Sequence, residues 1–188
     1  MSPPVLFDHL PLLAVKPELD DLIGRVNRDL ETYFTAPETS HETLQNALAG
    51  FHRICGVLQT LPLDGVVAFC GEIELLLQEL LSGVLSPSPV CCSASQNALL
   101  ALAHYLDALA DGAGKTALHL FPQYQELQQA RGMEMAFEVD LFFPDLQVEL
   151  PSSVLARPPG DAPQAYIRAE RDKYQVALLK WLQQDNPI

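Results

Sequence analysis

The sequence predicts an all-α fold: an antiparallel helical bundle with an extended, proline-rich strap and a C-terminal helix. Three observations carry this. Apolar residues recur at steps of three and four through six segments of the 188-residue chain, the period of an amphipathic helix. The connections between the first five segments are short and rich in Pro and Gly, which implies antiparallel neighbours. Strand-like alternation is confined to "LQVEL", inside a proline-rich stretch.

Residues 1–15 hold three prolines and little periodicity, so they read as an irregular arm. Pro17 then suits a first helical turn, with Glu18, Asp20 and Asp21 at the positive end of the dipole. Leu19, Leu22, Ile23, Val26, Leu30 and Phe34 form the first stripe. A second helix, from Ser40 to about Leu61, buries Leu44, Ala47, Leu48, Phe51, Ile54, Cys55 and Leu58. "LPLDG" turns the chain, because Pro62 lacks an amide proton and Asp64-Gly65 favours a restart.

The third helix places Val66, Cys70, Ile73, Leu77, Leu80 and Val84 on one side, and "SPSP" ends it. The fourth is expected at about 93–111, closed by Gly112 and Gly114. A fifth, about 115–131, contains Pro122 near its middle, which predicts a kink or a late start. Residues 16–132 thus make the bundle. Residues 133–162, with "DLFFPDL" and "LQVEL", make the strap, with a few strand residues near 138–150. Residues 163–188 hold the last helix, with Ile167, Tyr174, Leu178, Trp181 and Leu182 on one side. Its ending, "QQDNPI", predicts a longer chain with further domains.

Composition narrows the function. The formal net charge is −13, from 24 acidic and 11 basic residues, which repels phosphate backbones and anionic lipid. Protein partners with basic surfaces are expected; nucleic acid and membrane insertion are not. No apolar run reaches the roughly 18 residues of a membrane span. The N-terminus lacks a basic region, so no secretory signal is read. Cys55, Cys70, Cys91 and Cys92 form neither a paired framework nor a metal-ligand spacing. Reduced thiols in the cytoplasm, without metal or cofactor, are the expectation.

"GAGK" at 112–115 lacks the spacing of a P-loop and reads as a turn. Ser93 and Ser95 suit a loop and helix cap rather than a nucleophile. His9, His41, His104 and His119 are scattered and read as surface or cap residues. Glu72, Glu74 and Glu79 share a helix flank without a partner histidine in sequence, and read as a solvated face. Phe142-Phe143-Pro144 is expected to anchor the strap in the core; exposed, it would be a docking site.

His52 is the residue with a sharper alternative. At about 100° per residue it lies about 115° from the centre of its helix's apolar stripe, so it should face solvent. Gln45, Ala49, Gly56 and Gln59 share its flank. Gly56 costs about 1 kcal/mol against alanine in a helix interior, which implies close approach by a partner or by a neighbouring helix. This face is the candidate docking surface.

The order "HRICG", "TLPLDGV", "FCGEIE" resembles the histidine phosphotransfer (Hpt) domain. That family carries an exposed histidine on its second helix, lysine three residues on, glycine at the fourth, a turn, and a third helix with a "CxxLE" pattern. His52, Gly56, Cys70, Ile73 and Glu74 match, but Cys55 stands at the lysine position. The lysine charge would stabilise incoming phosphate oxygens; Cys55 offers none, so impaired phosphotransfer is implied. "ALAHYLDALADGAGKTALHLFPQYQELQQARG", "DLFFPDL" and "RDKYQVALLKWLQQD" extend the similarity to the N-terminal, degenerate Hpt-like region of the FimL/ChpA/PilL family. The resemblance covers about residues 40–184. It implies a non-catalytic scaffold in type IV pilus and twitching-motility control, partnered by a response regulator or by polar and pilus scaffold proteins, and recruited to a cell pole. The alternative it leaves open is an active phosphotransfer domain with His52 as phosphoacceptor.

Overall fold

The computed structural model describes residues 9–36, 41–114, 116–133, 135–144, 167–168, 170–171 and 173–176. The chain divides into two compact units, residues 3–145 and residues 146–188 with the first two. The described part of the first unit contains α1 (Leu10–Thr35), α2 (His41–Leu58), α3 (Asp64–Ser82), α4 (Pro89–Ala110) and α5 (Phe121–Ala130). Two 3-10 turns, Ala117–Leu120 and Glu138–Leu141, complete it, and no strand occurs among the described residues. The all-α expectation therefore holds.

The helices close around one core. α1 packs on α2 and α4, α2 on α3, and α5 on both α3 and α4. Pairs across the interfaces fix the directions. Lys16 reaches Asp107, and Tyr33 lies by Cys91, so α1 and α4 run antiparallel. His52 meets Glu74 and Cys55 meets Cys70, so α2 and α3 do too. Phe51 and Phe69 are fully buried in this core. Each fully buried large apolar side chain contributes about 1.5–3 kcal/mol.

Two partly buried ion clusters tie helices together. Lys16, on the buried side of α1, donates to Asp20 at 2.5 Å and to Asp107 of α4 at 2.6 Å. Burial alone would lower its pKa, but these two carboxylates raise it. Arg131, just after α5, donates through Nε and Nη2 to Glu79 of α3 at 3.0 and 2.8 Å, and through Nη1 to Glu72.

Several sequence expectations need correction. α1 starts at Leu10, with Pro11 in its first turn, and runs through Pro17. The arm of residues 1–15 is thus helical from Leu10, because Leu12 and Lys16 pack onto the bundle. α4 starts at Pro89, not near 93: Ser88 Oγ accepts from the Cys91 amide at 3.2 Å and Pro89 occupies the first turn. Val84 lies beyond Gly83, which ends α3 with φ 75°, and is exposed rather than part of the stripe.

Pro122 gives the late start: a 3-10 turn over Ala117–Leu120 precedes α5. In the strap, residues 138–141 form a 3-10 turn instead of a strand. Only Leu141 is buried there; Phe142 and Phe143 are about half exposed, so they are not the core anchor. Positions 145–162 lie outside the described residues. In the second unit, residues 167, 168, 170, 171 and 173–176 are helical. Ile167 and Tyr174 are exposed in it; Leu178, Trp181 and Leu182 lie outside the described residues.

Candidate functional site

The local pattern of α2 decides which side chains can act. Leu44, Ala47, Phe51, Ile54, Cys55 and Leu58 turn inward, and Gln45, Ala49, His52, Gly56 and Gln59 all turn out. The side chain of His52 is 75% exposed. The five residues thus share one exposed flank along α2 and the turn that follows it.

A partner for His52 comes from α3. Glu74 Oε1 lies 2.7 Å from the imidazole Nδ1. A carboxylate only accepts, so Nδ1 carries the proton, and in the neutral ring the lone pair resides on Nε2. The contact fixes one tautomer and one ring orientation, and it leaves the other nitrogen toward solvent. This corrects the reading of Glu72, Glu74 and Glu79 as a merely solvated flank. Glu74 holds His52, and the other two clamp Arg131. The Arg131 guanidinium holds the Glu79 carboxyl below its usual range.

The pairing was legible in the hairpin. His52 and Glu74 each stand 11 residues from Leu63, in the turn between α2 and α3. An antiparallel hairpin brings residues equidistant from its turn side by side. Sequence periodicity within single helices does not contain that relation.

Directly inward of this pair, Cys55 and Cys70 face each other in the core. Donation of the Cys70 thiol proton to Cys55, together with burial, pushes the Cys70 thiol well above its ordinary pKa. The position that carries lysine in Hpt domains thus points away from the imidazole's exposed face. Both thiols should label slowly in the folded protein and at the rate of free cysteine after unfolding. Rapid labelling of both in the native state, followed by mass spectrometry, would show that α2 and α3 do not close over them.

The structure removes one of the two explanations for Gly56. A Cβ there would meet no heavy atom within 4 Å, so internal packing does not require the glycine. Gly71 on α3 is equally unobstructed, and Leu75 beside Glu74 is 41% exposed. Sequence reasoning did not single out either residue. No group of three or more His, Cys, Asp or Glu side chains suited to a metal ion occurs among the described residues. Among those residues no helix is long and apolar enough to cross a membrane. No protein-family model, curated protein or solved structure was found to match the chain.

Proposed function

We propose that the protein is a non-catalytic signalling module derived from Hpt domains, which uses the α2 face around His52 to recognise a protein partner. The observation that carries this is the placement of Cys55. It lies buried against Cys70, one turn from an imidazole that is held by a carboxylate. A phosphoryl group arriving at Nε2 would need cationic help, and the matching position supplies none. On the sequence resemblance, the setting is type IV pilus and twitching-motility control in the cytoplasm. The partners are a response regulator or polar and pilus scaffold proteins.

A second reading has its own support. The Glu74 contact makes Nε2 the free, outward nitrogen of His52, the arrangement a phosphoryl acceptor needs. Incubating the protein with a phosphorylated receiver domain and Mg²⁺ separates the two. The scaffold reading expects binding without acid-labile phosphate, and binding that survives His52→Gln. Gly56→Glu should weaken that binding by about 1–3 kcal/mol, as for a central contact. It should leave the fold intact, since the site is open and glutamate favours helix over glycine. Acid-labile phosphate that disappears in His52→Gln would establish the acceptor reading instead.

A further inference from the structure

Away from His52, the segment after α5 exposes more apolar surface than a strap needs. Met133, Met135, Phe137, Val139, Phe142 and Phe143 are between 49% and 69% exposed. Single exposed apolar residues are ordinary, but six within eleven positions form a patch of the kind that marks interaction sites.

The end of the patch is held in place. Leu141 is buried, the Phe142 amide donates to the Val139 carbonyl at 3.2 Å, and the Phe137 amide donates to Asp140 Oδ2 at 3.2 Å. Held this way, the Phe142 and Phe143 rings stay outside because their anchor is the leucine before them.

A cavity of about 200 Å³ opens beside the two rings, between the α2–α3 turn (Pro62–Gly65), Thr116–Ala117 and Leu141–Pro144. Cavities of about 150 Å³ accept benzene, so an aromatic or leucine side chain fits. Charge selects what carries that side chain. Asp64 lines the cavity and already supplies the anion favoured at the N-terminus of α3. Next to Leu141 in the same 3-10 turn, Glu138 and Asp140 add two further carboxylates. A second copy docking by the same patch would bring these like charges together.

We propose that this cavity and the apolar ridge leading to it dock a basic protein segment. The segment inserts one aromatic or leucine side chain beside Phe143 and sets its lysine or arginine residues against Asp64 and Glu138. This surface shares no residue with the α2 face, so its test is independent of the function proposed above.

The experiment uses the full chain and a fluorescent short peptide with one phenylalanine flanked by arginines. Anisotropy should give saturable binding, and amide chemical-shift changes should cluster at residues 62–65, 116–117 and 137–144. Phe143→Ser should lower affinity at least tenfold. Asp64→Asn with Glu138→Gln should lower it severalfold and flatten its salt dependence. His52→Gln should leave it unchanged. Thermal melts accompany each variant, and Val139→Ser replaces Phe143→Ser if the latter melts early. Absence of saturable binding, equal binding of a glutamate-flanked peptide, or shifts centred elsewhere would overturn the proposal. Concentration-dependent dimers dissolved by Phe143→Ser would overturn it in favour of a second copy.

Discussion

Arg131→Met should lower the unfolding free energy by about 2–3 kcal/mol, less than the roughly 3–5 kcal/mol of a fully buried pair because the carboxylates keep part of their water. Methionine keeps most of the aliphatic stem's packing, so the loss is electrostatic. The guanidinium is 12% exposed, and its partners Glu72 and Glu79 are 15% and 28% exposed. Without Arg131, two carboxylates on one face of α3 are left partly desolvated and close together. Changing both to glutamine in the Arg131→Met background should recover most of the loss, since neutral amides carry no such penalty.

The same cluster predicts a pH dependence with a definite sign. The Arg131 guanidinium depresses the folded-state pKa of Glu79 below its ordinary value of 4.5. A depressed carboxyl contributes its stability above the unfolded pKa and loses it as pH falls through the folded value. Wild-type stability should therefore drop below about pH 4.5, and Arg131→Met should flatten that part of the profile. Urea melts from pH 3 to 7 measure both effects. A variant as stable as wild type across that range would mean that the clamp does not form.

Gly65→Ala is the second large effect, about 1–3 kcal/mol of destabilisation from overpacking. A Cβ at Gly65 would stand 2.6 Å from Ala117 Cβ and 2.8 Å from the Leu141 carbonyl oxygen. Neither neighbour is the end of a flexible side chain, so the Glu138–Leu141 turn must shift off the N-terminus of α3. Amide exchange at Phe142, which donates to Val139, should speed up, and proteolysis within 137–144 should increase. Unchanged exchange and an unchanged melt would mean that Gly65 is not the contact that seats this turn.

Gly65 and Gly56 make an instructive pair. Both are glycines inside or opening helices, and the sequence gives them similar weight. Gly65 is required by packing of the chain against itself, whereas Gly56 faces open space. Only the neighbouring atoms tell them apart, and those at Gly65 come from Ala117, Leu141 and Phe143, far along the chain.

By itself the sequence determined the helical class, the inward faces of α2 and α3, the exposure of His52, and the late start of α5. These follow from the 3.6-residue period and from proline geometry, which act within a few residues. Helix starts at Leu10 and Pro89 carried local signals too, in Pro11 and in Ser88-Pro89. Tertiary structure alone decided the rest. Arg131 becomes the partner of Glu72 and Glu79, and Leu141 rather than Phe142 or Phe143 enters the core. Each of these depends on which faces meet after the chain has folded back on itself, and periodicity within one helix does not encode that.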